Sequence, residues 1–170
     1  MLNPTGSGSG VAGSAAVLRQ VMSHFASGVT VVTALRDGVA HAMTATAVCS
    51  VSLEPPLILV CVSHASRFHQ AITTATAWCV SLLADDQEPV ARHFANRGRD
   101  LTTQFDGVPH TLAELSAAPI LDGALAWVEC TTYAQYDGGD HTIVVGRVER
   151  ASTDETDQAG PLTYYRGSYS

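Results

Sequence analysis

The chain has 170 residues, 46% hydrophobic and 15% charged, a length and balance that suit one globular domain and argue against a disordered chain. A net charge of −7, from 9 basic and 16 acidic residues, and the lack of a basic run argue against nucleic-acid or membrane-surface binding. No apolar run approaches the ~20 residues that span a bilayer and no leader pattern opens the chain, so a reducing cytoplasm is the expected setting. The four cysteines, Cys49, Cys61, Cys79 and Cys130, form no Cys-x-x-Cys pair and read as core thiols.

Residues 1–13 are rich in glycine and serine and read as a flexible arm, with one domain over 14–170. Gly8-Ser9-Gly10-Val11-Ala12-Gly13 fits a dinucleotide fingerprint in letters only, because no buried strand precedes it. Ser14 is a helix cap for 15–25, where Val17, Leu18, Val21, Met22 and Phe25 mark a face expected to meet the core. The β-branched run 29–35, the Asp37-Gly38 turn and the stretch 41–48 predict a hairpin. Thr44 and Thr46 then put hydroxyls and little bulk on one strand face, which a flat ligand could approach. Extended backbone continues over 51–53, Glu54-Pro55-Pro56 interrupts the ladder, and 57–62 reads as a buried central strand.

At Ser63-His64-Ala65-Ser66-Arg67 a strand gives way to a helix expected from Ser66 to about 74. Amide, hydroxyl and guanidinium donors gather there and could take a phosphate, although a capping serine beside a solvated arginine is the commoner arrangement. A strand follows over 78–83, then a helix from Asp85 to about 95 with acidic residues at its positive end. Residues 100–107 read as a surface loop. Strands over 125–136 and 141–148 flank the turn Asp137-Gly138-Gly139-Asp140 as a second hairpin. A polar loop spans 154–159, and 161–169 is read as an extended tyrosine-rich tail. Metalloprotease, nucleophile-elbow and phosphate-loop motifs are absent, and the histidines show no metal-ligand pairing. His141, just past a turn, can face a pocket, though on position alone such a histidine is usually a partly exposed polar residue.

Several strings in order resemble the short-chain flavin reductases, the reductase components of two-component flavin monooxygenases. These are Phe25-Ala26-Ser27-Gly28-Val29-Thr30-Val31-Val32-Thr33, Met43-Thr44-Ala45 and Ser50-Val51-Ser52-Leu53-Glu54-Pro55-Pro56-Leu57. Gly123-Ala124-Leu125-Ala126-Trp127 with Glu129-Cys130, Gly139-Asp140-His141-Thr142-Ile143 and Pro161-Leu162-Thr163-Tyr164-Tyr165-Arg166-Gly167 continue the pattern, and ordered motifs are more specific than any one alone. The resemblance implies a mainly β fold with helices, an FMN-binding split β-barrel. It further implies an NAD(P)H:flavin oxidoreductase, preferring NADH to NADPH, that supplies reduced FAD or FMN by diffusion to a monooxygenase, and a homodimer.

Carried over to this chain, the resemblance makes His141 the catalytic residue beside the nicotinamide. Cofactor contacts fall on Met43, Thr44, Ala45, Thr46 and Ala47, on Cys61, Val62, Ser63, His64, Ser66 and Arg67, on Phe94, Ala95 and Arg97, and on His141 and Tyr169. Ser81 and Thr46 stand where the family pattern has asparagine. Hydride transfer between stacked rings asks mainly for placement, in keeping with the absence of acid–base motifs. The competing readings are a non-catalytic flavin- or heme-binding split barrel and a non-catalytic oxygenase subunit.

Overall fold

The structure, a computed structural model, describes residues 13–153 and 159–170. The arm expected over 1–13, with its glycine motif, lies outside them except for Gly13, as does the loop expected over 154–159 except for Ala159.

Helix α1 (Ala15–Met22) starts where Ser14 Oγ accepts the Val17 N–H at 3.3 Å. The core face expected of it is not formed: Leu18, Val21, Met22 and Phe25 are all more than half exposed. Helical spacing reveals an apolar stripe but not what covers it. The chain then enters β1 (Ser27–Gly28) and the hairpin β2 (Thr30–Arg36) and β3 (Val39–Ala45). Asp37 and Gly38 both have positive φ, 53° and 76°, as a two-residue turn matched to strand twist requires.

The single strand expected over 41–48 is in fact two. β3 ends at Ala45, and β4 (Val48–Leu53) begins after Thr46 and Ala47. β5 (Pro56–Ser63) leads through a loop to α2 (His69–Thr74), which starts three residues later than expected. β6 (Ala77–Leu82) follows, then a short 3-10 turn (Asp85–Gln87) that runs into α3 (Glu88–Ala95). Two short strands, β7 (His110–Leu112) and β8 (Pro119–Leu121), precede the long hairpin β9 (Ala126–Asp137) and β10 (His141–Thr153). The chain closes with β11 (Thr163–Tyr165) and β12 (Ser168–Tyr169). These two form a small hairpin turned at Arg166 and Gly167, not the extended tail expected, and β11 pairs with β1.

Seven strands form one antiparallel sheet in the order β3-β2-β6-β9-β10-β5-β4. Its two edges are β3 and β4, yet only Thr46 and Ala47 connect them, a span of about 11 Å at most. The sheet must therefore curl until its edges nearly meet, which gives a split barrel open along that seam. Inside it Val32, Ala34, Val60, Val62, Trp78, Val80, Cys130 and Val144 pack with Phe68, Ala71 and Ile72 from the α2 region. β5 is next to the edge and alternates, with Leu57, Val60 and Val62 buried but Ile58, Leu59 and Cys61 only partly so. It is not the doubly buried central strand expected.

Cys79 and Cys130 are core thiols, and burial pushes both up to about 12. Cys49 and Cys61 are not: Cys49 is exposed on the edge strand and Cys61 is partly buried. The loop expected over 100–107 also reaches inward. Gln104 is 2% exposed, and its Nε2 donates to Ala40 O at 2.7 Å and Leu101 O at 3.2 Å. On β9, fully buried Glu129 accepts three hydrogen bonds on Oε1, from Leu115 N, Ser116 N and Ser116 Oγ. That carboxyl anchors the 113–118 link between β7 and β8. No helix among the described residues is long and apolar enough to cross a membrane.

Candidate functional site

Alternation along β5 places Leu59, Cys61 and Ser63 on one face of the sheet. Leu59 and Cys61 line a groove of about 650 Å³, whereas Ser63 lines a smaller cavity of about 200 Å³. The two spaces therefore succeed one another along a single strand face. The register sets His141 opposite Ser63 and Ile143 opposite Cys61, so His141 shares that face at the cavity end.

The cavity is built where β3, the loop before α2 and the segment after α3 converge. Met43, Thr44, Ser63, Ser66, Arg67, Phe94, Ala95 and Arg97 line it, all singled out in the sequence, together with Ala42, Phe68 and Arg99. Its loop is internally braced. Ser63 Oγ accepts from Ala65 N, Ser66 Oγ accepts from Phe68 N, and the Ser66 hydroxyl donates to Met43 Sδ. Thr44 is already engaged, its hydroxyl donating to Ala91 O at 2.6 Å and tying β3 to α3.

Three arginines, Arg67, Arg97 and Arg99, line this small space. Arg99 is held by Gln104 Oε1, Asn96 O and Ala42 O and lies over the Phe94 ring. Burial, then the nearby charge of Arg67, lower its pKa to about 10, so it stays charged near neutrality. Arg67 Nη2 in turn donates to Arg99 O at 2.9 Å. Among the described residues none of the three forms an ion pair. Asp100 senses the charge of Arg67, but its Oδ1 is occupied by the Thr102 N–H and hydroxyl.

His41 adds no compensating charge. It is 8% exposed, its Nδ1 has no hydrogen-bond partner, and burial and then Arg36, Arg67 and Arg99 lower its pKa from 6.5. Three arginines without a direct ion pair, in a chain of net charge −7, offer forked donors suited to phosphate oxygens.

The groove is mostly apolar. Thr46, Ala47 and Cys61, named from the sequence as cofactor contacts, line it, and Arg19, Met22, Phe25, Tyr164 and Arg166 supply its other side. At the cavity end His141 Nδ1 meets Asp140 Oδ1 at 2.6 Å, and this hydrogen bond, followed by the His141 charge, lowers the Asp140 pKa.

Four other residues proposed from the sequence lie differently. The Ala45 and Val62 side chains are buried in the barrel core, which leaves their backbone as the part that can face a ligand. His64 reaches to Thr142. Tyr169 packs on Tyr164 at 5.2 Å between ring centroids, with Arg92 over its ring. Ser81, where the family pattern has asparagine, is fully buried and accepts the Leu121 N–H. Arg99 was legible only as the second arginine of Arg97-Gly98-Arg99, and nothing local in the sequence marks His41 as its neighbour.

The arrangement is a split barrel in which an arginine-lined cavity is continued by an apolar groove. Residues 22–170 match the flavin reductase like domain, and the chain belongs to that family. An NADH-dependent FAD reductase of Streptomyces globisporus is 45% identical over 136 residues, 79% of this chain and 74% of that protein. The reductase subunit of a flavin-dependent monooxygenase of Mycobacterium tuberculosis is 37% identical over 151 residues, 89% of this chain and 79% of that one. Among solved structures, the NADH:FAD oxidoreductase of Streptomyces globisporus in complex with NAD and FAD fragments superposes with a TM-score of 0.83 at 40% identity, covering 90% of this chain and 89% of that one. The flavin reductase component of a bacterial two-component tryptophan halogenase gives 0.85 at 44%, covering 92% and 97%.

Proposed function

We propose that this chain is an NADH-dependent flavin reductase that supplies reduced FAD or FMN to a separate monooxygenase in the cytoplasm, with 14–170 as its one catalytic domain. The observation that carries this reading is the convergence of Arg67, Arg97 and Arg99 at one end of a mostly apolar groove. Flavin nucleotides have that polarity, an anionic phosphate end and a flat apolar ring, so the residues present fit the group. Bound flavin supplies the hydride-accepting ring.

The chain's own residues do the placing. The arginines hold phosphate oxygens. Ser63 Oγ, which accepts from Ala65 N–H, keeps its own hydrogen for another. The edge segment Thr46–Ala47 and Cys61 offer a flat wall for the ring. His141, steadied through Nδ1 by Asp140, leaves Nε2 for the nicotinamide end of NADH. Catalysis then rests on orientation and on excluding water between the two rings.

NADH oxidation by purified protein, with FAD, with FMN and without flavin, tests this reading. Flavin-dependent, saturable oxidation is expected. His141→Ala is expected to lower kcat/KM for NADH about tenfold or more while flavin still binds. Flavin binding without any turnover of NADH or NADPH would instead support the non-catalytic binding module.

The exposed stripe Leu18, Val21, Met22 and Phe25 borders the groove, where Met22 and Phe25 are wall residues. A second copy covering this stripe makes a homodimer that also roofs the flavin. Sedimentation is expected to give a dimer mass for the protein and a monomer for Leu18→Glu/Phe25→Glu; a monomeric wild type would contradict the pairing.

A further inference from the structure

The loop that carries Ser63, Ser66 and Arg67 is attached to the start of β10 on both sides of its arginine. On one side His64 Nε2 lies 3.2 Å from Thr142 Oγ1, and the His64 N–H donates to Asp140 O at 3.0 Å. On the other, His69 Nε2 lies 2.8 Å from the same Thr142 oxygen. The two imidazoles meet edge to face, 5.0 Å between centroids. One hydroxyl can serve both rings, since it has one hydrogen to donate and lone pairs to accept with.

Thr142 stands opposite Val62, whose side chain is fully buried, so it points to the inner side of the sheet while His141 points to the outer. Nothing about packing there asks for a hydroxyl, because a valine has the same shape and an equal liking for a strand. Among the described residues the hydroxyl's one use is to join the two histidines.

We propose that His64, His69 and Thr142 form a clamp that fixes the anion-binding loop relative to His141, making Thr142 and His69 positioning residues for hydride transfer. The proposal rests on the flavin-reductase reading, in which Arg67 holds one end of the flavin and His141 the nicotinamide. The clamp sets the distance between those two anchors from behind the sheet without touching either ligand. Both rings must lie in register for transfer, and small misplacements cost much of the rate.

The test compares Thr142→Val, Thr142→Ser and His69→Gln in steady-state NADH oxidation with FAD, alongside thermal unfolding and equilibrium FAD titration. Thr142→Val is expected to keep its fold and to lose about tenfold in kcat, with a smaller change in FAD affinity. Thr142→Ser, which keeps the hydroxyl, is expected to stay close to wild type, and His69→Gln to fall between. An active wild type with Thr142→Val equally active overturns the clamp alone, as does an equal loss in Thr142→Val and Thr142→Ser. A wild type that binds flavin but transfers no hydride overturns the reductase reading and the clamp with it.

Discussion

Arg67→Ala is expected to weaken flavin binding by about 10- to 100-fold, the equivalent of one lost charge-assisted contact of about 1.5–3 kcal/mol. Arg67 is exposed on the loop after β5, and among the described residues its one hydrogen bond is to Arg99 O, so folding should be little affected. Arg67→Lys should recover only part of the affinity, because an ammonium group lacks the planar fork that grips two oxygens. Arg99 responds differently. Its guanidinium is tied to Gln104, Asn96 and Ala42, so Arg99→Ala would disturb the cavity wall as well as its charge. Equilibrium FAD and FMN titrations at two salt concentrations check this, since a partly exposed ion contact weakens with salt. Unchanged affinity in Arg67→Ala would remove the anion cradle from the account.

Gly146→Ala is expected to be the most damaging single-methyl change in the barrel, lowering stability by about 3 kcal/mol. A β-carbon at Gly146 would collide with Trp78 Cζ2 and Cη2 and lie 2.8 Å from Cys130 Cβ. Neither neighbour has room to move: both are fully buried, and Trp78 Nε1 donates to Thr132 Oγ1. The glycine sits at a register shift between β9 and β10, where the β10 backbone passes close to the indole. Trp78→Phe removes the ring atoms in conflict and should offset part of the loss in the double variant, a coupling expected only of residues in contact. Urea unfolding of the four proteins measures it. An unchanged midpoint in Gly146→Ala would mean that β10 can shift without cost.

Much of the barrel is legible in the chain because its signals are local. Asp37-Gly38 and Gly138-Gly139 name their turns by chemistry, and the β-branched runs that follow or precede them are strands. Other features depend on distant partners. The break after Ala45 has no turn residue to announce it; the chain bends at Thr46 as it passes from one edge of the sheet to the other, and Ala47 O already accepts the Cys61 N–H of β5. β7 and β8 are three residues each, too short for a periodic pattern, and their link is anchored by Glu129 from another strand. The stripe on α1 was correctly apolar but wrongly assigned to the core, because periodicity describes one surface and burial needs two.

The site divides in the same way. The Met-Thr-Ala string, the donors of the strand-to-helix turn and the family resemblance together marked Met43, Ser63, Ser66, Arg67, Phe94 and Arg97, and the fold brings all six to one cavity. Ala45 and Val62 were carried over from the resemblance as well, but their side chains point into the core. His41 shows no sign of a site, and Thr142 is only a neighbour of His141 in its string, until β3 and β10 place them beside an arginine cluster and a histidine pair. Their roles come from packing across the sheet, which no short window of sequence contains.

The most direct test of the central claim is an anaerobic titration of the protein and FAD with NADH. The account predicts that one equivalent of NADH bleaches the visible flavin absorption of one equivalent of FAD, that the protein is required for the rapid phase, and that admitting oxygen restores the oxidised spectrum. FAD that is bound by the protein but stays oxidised in the presence of NADH would contradict it.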